Sequence, residues 1–311
     1  MWGTDVMTVD WHGIFPAATT QFRDDGSLDL DATQRHIDGL IGDGVHGMIA
    51  IGTVGENCSL DAGEKRELIA AAKEAVGGRV PLLAGVAECT TRMACDFARD
   101  AEATGLDGLM VLPAMVYKSN PRETIAHFRA VARASGLPVM VYNNPVSYGV
   151  DITPAMFREL ADEPTIVAIK ESSENLRRIT DIKNATGDRY VMFCGVDDLF
   201  VEAHVLGAVG WVAGLVNAFP RETVALYELM RAGRQDEALA LYRWFMPLLH
   251  LDCRPTLVQC IKYAQAAVGR GTETVRPPRL KLDGAERAEV KAIVEKSLAG
   301  RPDLSRLAAA A

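Results

Sequence analysis

The chain has 311 residues, 49% of them apolar, with 33 basic and 41 acidic side chains and a net charge of −8. That apolar share excludes a disordered chain, and the length suits one (β/α)8 barrel with an extension. The acidic balance, without any cluster of Lys and Arg, excludes nucleic acid and anionic membrane as expected partners, so an anionic substrate must be captured locally. Six cysteines (Cys58, Cys89, Cys95, Cys194, Cys253, Cys260) form no CxxC and no zinc-like spacing with histidine. They read as reduced thiols, mostly buried, in a cytoplasmic protein, and no metal site is expected. Residues 1–11 hold acidic side chains and no apolar h-region, so no signal peptide is expected, and no apolar run approaches membrane-spanning length.

In chain order, short apolar runs suited to strands fall at 14–20, 47–53, 81–86, 108–113, 138–144, 166–170, 190–195 and 210–215. Between them, apolar residues at three-and-four spacing predict helices such as 61–76, 91–104, 121–135, 153–160 and 197–206. Ser59 is the expected cap before Asp61, and Thr153 the cap before Pro154. Eight βα units in series predict an α/β fold, a (β/α)8 TIM barrel over 12–220 that holds the active site. A doubly wound open sheet is the alternative, but no GxGxxG follows the first strand and no acidic ribose-binding residue sits where that fold needs it. From 221 to 311 the pattern is helical only (222–231, 235–249, 255–268, 285–298) and reads as an appendage or oligomer surface. Arg276-Pro277-Pro278 marks a loop, and 308–311 is expected to fray.

The run Thr165-Ile166-Val167-Ala168-Ile169-Lys170-Glu171-Ser172-Ser173 is a buried-strand pattern ending in a lysine. On its own such a lysine reads as one that snorkels from the strand end. At the mouth of a barrel strand it reads instead as a nucleophile whose ammonium is neutralised by desolvation, ready to form a Schiff base. Chemistry in a barrel sits at the C-terminal strand ends. Those ends supply Thr19 and Thr20, Gly52-Thr53-Val54-Gly55-Glu56-Asn57, Tyr142-Asn143-Asn144-Pro145, Lys170, and Gly195-Val196-Asp197-Asp198. Tyr142 and Lys170 end consecutive strands, so a phenol stands beside the amine as a proton shuttle; the plainer reading is a tyrosine that caps the barrel core. The glycines at 52 and 55 suit a backbone nest for a carboxylate, with the Thr53 hydroxyl in reach of Tyr142; the plainer reading is an ordinary turn. The Gly195–Asp198 stretch could equally cap the next helix. His36, His127 and His204 lie in helical patterns and read as surface or core residues.

Gly52-Thr53-Val54-Gly55-Glu56, Tyr142-Asn143-Asn144-Pro145, Ala168-Ile169-Lys170-Glu171 and Gly195-Val196-Asp197-Asp198 together resemble, in order and spacing, the dihydrodipicolinate synthase / N-acetylneuraminate lyase family, over roughly residues 12–300. The resemblance implies a class I Schiff-base enzyme with a C-terminal helical domain, a homotetramer without a cofactor beyond the imine on Lys170. It makes Lys170 the imine-forming residue and Tyr142 the proton shuttle, with Thr53 linking Tyr142 to solvent. The turn at Thr53-Val54 would hold the 2-oxo acid carboxylate, and Val54, Gly55, Asn143, Ser147, Gly195 and Val212 would line the substrate.

Three departures bear on the substrate. Ser147 stands where the synthases place an arginine for the second substrate's carboxylate, and serine cannot replace a bidentate clamp. Val54 replaces a second threonine, which leaves that anion contact to backbone N–H groups. Pro113 is followed by Ala114-Met115-Val116, not by a tyrosine pair, and Tyr117 comes later. The wider sequence resembles the branch that degrades hydroxyproline, whose enzyme is 1-pyrroline-4-hydroxy-2-carboxylate deaminase. The expected substrate is thus a small 2-oxo acid or its cyclic imine, with Ser147 or Asn143 orienting a 4-hydroxyl. An aldolase of 4-hydroxy-2-oxo acids or a sugar-acid dehydratase is the nearest rival and the synthase ranks third. A non-catalytic barrel that senses 2-oxo acids is the reading from another class.

Overall fold

The computed structural model describes residues 6–305, so the first residues of segment 1–11 and the tail 308–311 lie outside it. Eight strands, β1 (Gly13–Pro16), β2 (Met48–Ala50), β3 (Leu82–Val86), β4 (Gly108–Val111), β5 (Val139–Asn143), β6 (Ile166–Glu171), β7 (Val191–Cys194) and β8 (Gly210–Ala213), pair in parallel in the order β1-β8-β7-β6-β5-β4-β3-β2. A bridge between Ala17 and Ile49, with the Ala18 N–H donating to the Ile49 carbonyl at 2.9 Å, brings β1 and β2 together and closes the barrel. Every expected strand is present, shorter at its C-terminal end in most cases because the chain there turns into the loops that build the barrel's upper face.

Side chains alternate across each strand. Phe15, Ile49, Met110, Met140, Ala168, Phe193 and Val212 fill the barrel, while their neighbours Ile14, Met48, Leu109, Val139, Ile169, Met192 and Trp211 face the helices. The helices are α1 (Leu30–Gly42), α2 (Ala62–Val76), α3 (Thr91–Ala103), α4 (Pro121–Ala132), the short α5 (Pro145–Tyr148), α6 (Pro154–Leu160), α7 (Arg177–Thr186), α8 (Phe200–Val205) and α9 (Pro220–Arg231). Thr153 caps α6 as expected. Ser59 does not cap α2: Asp61 does, accepting from the Glu64 N–H while the Glu64 carboxylate takes the Asp61 N–H, and this reciprocal pair out-competes a hydroxyl two residues upstream.

Helix α9 packs on β1 and completes the eighth βα unit, so the expected boundary at 220/221 falls at the start of a barrel helix. Helices α10 (Gln235–Leu249), α11 (Leu257–Ala267) and α12 (Gly284–Ala299) follow. They are no mere appendage, because the turn His250–Cys253 and the start of α11 reach the barrel mouth. All six cysteines are free, but only Cys194 and Cys260 are buried; Cys58, Cys89 and Cys253 are exposed on turns. Among the described residues no helix is long and apolar enough to cross a membrane.

Candidate active site

Strand register places the nucleophile. Val139 pairs with Ile166 but Met140 pairs with Ala168, a one-residue irregularity that leaves Val167 and Ala168 both among the inner residues. The shift brings Tyr142 directly opposite Lys170, and Lys170 in turn opposite Phe193. Lys170 follows Ala168, and Tyr142 follows Met140, on the inward face, so both side chains emerge at the barrel mouth. The Lys170 Nζ lies 3.9 Å from the centroid of the Tyr142 ring. Burial lowers the Lys170 pKa from 10.5 to about 8, although the acidic side chains of Asp252 and Asp197 pull the other way.

Tyr142 is buried, which raises its pKa, and its Oη accepts from Asn144 Nδ2 at 3.0 Å. Thr53, expected to touch Tyr142, instead has its Oγ1 2.5 Å from the Oη of Tyr148. The Tyr148 ring meets the Tyr142 ring edge-on at 5.8 Å between centroids. Tyr148 therefore stands between the threonine and the first tyrosine, at the end of α5, where Gly149 in the left-handed conformation closes the turn. Desolvation pushes the Tyr148 phenol well above its usual pKa.

A cavity of about 430 Å³ opens above these groups. Thr53, Val54, Ser147, Gly195 and Val212 all line it. The backbone N–H groups of Thr53 and Val54 make no hydrogen bond among the described residues, so they are free to take an anion. Gly195 is fixed by contact: a Cβ there would lie 2.7 Å from Lys170 Cγ and Cε and 2.0 Å from Ser172 Oγ. The Ser172 hydroxyl is itself buried without a partner and lines the cavity.

Two expected substrate residues point elsewhere. Asn143 alternates with Tyr142 and so faces outward, where its Nδ2 donates to Glu171 Oε2 at 3.0 Å and its Oδ1 accepts from the Ile152 N–H at 2.9 Å. It shapes the β5–β6 seam and does not touch the cavity. Gly55 is a packing glycine, since a Cβ there would come within 2.9 Å of the Ala18 carbonyl oxygen and Ile51 Cα. The left-handed residues of this loop are Ile51 (φ 47°) and Glu56 (φ 58°), not the glycines. Glu56 is wholly buried, bound by Lys262 Nζ at 2.6 Å and the Arg276 N–H at 3.0 Å, so the C-terminal region anchors the loop that bears Thr53. Tyr117 is exposed and donates to Glu123, away from the cavity.

Sequence reasoning passed over Tyr148, although it lies within the Tyr142–Gly149 segment, and Asp252, which lines the cavity from beyond the barrel. Asp197 does not cap a helix by its side chain. It accepts from Trp211 Nε1 at 2.9 Å and from the Gly214 and Leu215 N–H groups at 3.1 and 2.8 Å.

A (β/α)8 barrel whose buried lysine has a lowered pKa and faces a phenol is the arrangement that Schiff-base chemistry needs. The chain belongs to the Dihydrodipicolinate synthetase family, whose model matches residues 10–297. It is 36% identical over 272 residues to 4-hydroxy-tetrahydrodipicolinate synthase 1 of Streptomyces coelicolor, covering 87% of this chain and 88% of that protein. Among solved structures it is similar to a putative dihydrodipicolinate synthetase from Pseudomonas aeruginosa (TM-score 0.88, 32% identity, 93% and 100% of the two chains). It is also similar to a prophage protein of the dihydrodipicolinic acid synthase family from E. coli K12, solved in complex with pyruvate (TM-score 0.87, 29% identity, 93% and 99%).

Proposed function

We propose that this Schiff-base enzyme deaminates 1-pyrroline-4-hydroxy-2-carboxylate to 2,5-dioxopentanoate and ammonia. The observation that carries the reading is that α5 brings Ser147, and no arginine of its own, to the lining of the Lys170 cavity, where a second carboxylate would need a guanidinium. The substrate carboxylate is taken by the free N–H groups of Thr53 and Val54. Neutral Lys170 attacks C2 of the cyclic imine, and the ring nitrogen leaves as an amine, so the ring opens by transimination. Tyr142 moves the protons at nitrogen, supplied through Tyr148 and Thr53. The protonated imine acidifies C3. Loss of a C3 proton and of the 4-hydroxyl gives an unsaturated amine, which tautomerises to an imine at C5. Two hydrolyses then release ammonia and free Lys170, for a net uptake of one water.

The names of the relatives favour a second reading, condensation of pyruvate with aspartate semialdehyde. The cations available to it on the cavity rim are Arg254, bound to Glu289 at 2.7 Å, and Arg279, 3.3 Å from Ser59 Oγ. Side-by-side assays decide between them. Ammonia and 2,5-dioxopentanoate formed by the wild type and lost in Lys170→Ala support the deaminase. Turnover of pyruvate with aspartate semialdehyde, and none of the cyclic imine, would replace it with the synthase.

A further inference from the structure

Two carboxyl groups that the chemistry above does not use, the buried Asp197 and the half-buried Asp252, meet at one glycine beside Lys170. Asp197 accepts from three N–H donors, one of them from Gly214, which partly offset the burial that raises its pKa to about 6. Asp252 arrives from the turn His250–Cys253, and its Oδ1 lies 2.1 Å from where a Cβ of Gly214 would stand. This oxygen has no accessible surface and no hydrogen-bond partner. The Asp252 side chain nonetheless borders the same cavity as Lys170 and Ser147. Two carboxyl groups this close cannot both ionise in a buried site, and the one without donors keeps the proton. Burial and the Asp197 charge raise the Asp252 pKa well above the carboxylate range, against the pull of Lys170. Asp198 adds a further negative charge from the same turn as Asp197.

We propose that Asp252 is a catalytic acid that protonates the departing 4-hydroxyl of the Lys170-bound substrate. The inference rests on the deaminase reading and deepens it. In the enamine formed after loss of the C3 proton, the nitrogen lone pair reforms the C2–nitrogen double bond and the former C2–C3 double bond becomes C3–C4. The C4–O bond breaks with its electron pair on oxygen, the Asp252 proton moves to that oxygen, and water leaves. Asp252 is left as a carboxylate and regains its proton from solvent in the cavity. With Asn143 turned outward, Ser147, Ser172 and Asp252 are among the polar groups that border the cavity, and Asp252 is the carboxyl whose pKa burial raises well above the usual range.

The test compares 1-pyrroline-4-hydroxy-2-carboxylate with its 4-fluoro analogue, because fluoride departs with far less need of a proton. Borohydride trapping of pyruvate on Lys170 controls for folding and imine formation. Asp252→Asn is expected to trap pyruvate normally, to lose about 100-fold on the hydroxyl substrate and to keep the fluoro analogue within about tenfold. Asp252→Glu, which keeps an acid, should recover part of the loss. Equal losses on both substrates, or hydroxyl turnover within threefold of wild type, would overturn the proposal and leave the deaminase standing. A wild type inactive on both cyclic imines, yet trapping pyruvate, would overturn the deaminase reading and this inference with it.

Discussion

The lowered pKa of Lys170 makes the pH dependence of imine formation a quantitative test. At its usual value of 10.5 a lysine is only ~0.03% neutral at pH 7. With a pKa of about 8 the neutral fraction is roughly 9%, so the amine is about 300-fold more available. The difference corresponds to about 3 kcal/mol in favour of the neutral form, and its cause is desolvation between the Tyr142 ring and the barrel core. The perturbation is pH, varied from 6 to 9.5 with pyruvate well below saturation and cyanoborohydride as the trap. Because the folded pKa is depressed, neutral amine accumulates as pH rises through it. Trapping should therefore climb about tenfold per pH unit at the acid end, bend near pH 8 and level off above. A rate still rising through pH 9.5, as an ordinary lysine requires, would refute the claim that burial activates Lys170.

Gly195→Ala places a methyl against Lys170 Cγ and Cε and onto Ser172 Oγ, so the chain should fold while pyruvate trapping falls about 100-fold, read by mass spectrometry. Tyr148→Phe and Thr53→Val break the same hydrogen bond, so each should lower turnover by about 10- to 100-fold while leaving the fold intact. Steady-state kinetics of the double variant should then show a loss no larger than the worse single one. Lys262→Met leaves the buried Glu56 carboxylate without its ammonium partner, which costs about 3–5 kcal/mol. Calorimetry should show Tm lowered by roughly 5–8 °C, given the entropy of unfolding for a chain of this size.

The barrel was legible because each strand is a short apolar run bounded by turn residues, and because the lysine at 170 ends one of them. Tyr142 followed from its place on the preceding strand. The same two-residue alternation that turns Tyr142 inward turns Asn143 outward, and applying it to every strand-mouth residue would have moved Asn143 from the cavity to the Glu171 contact. Gly55 looked like an anion nest because glycine permits one, but its role is steric, against the Ala18 carbonyl. Tyr148 depends on how α5 folds back over Thr53, a long-range contact that local pattern does not encode. Asp252 reaches the cavity only because α10 and α11 pack over the barrel mouth, and a run of helical periodicity gives no hint of which turn will point inward.

The central claim is that Lys170 is the group that forms the imine. Incubation with pyruvate, reduction with borohydride and peptide mapping test it most directly. The account predicts one reduced pyruvate adduct per chain, on the peptide that contains Lys170, and none in Lys170→Ala. An adduct on another lysine such as Lys262 or Lys65, or an equal yield in the variant, would contradict it.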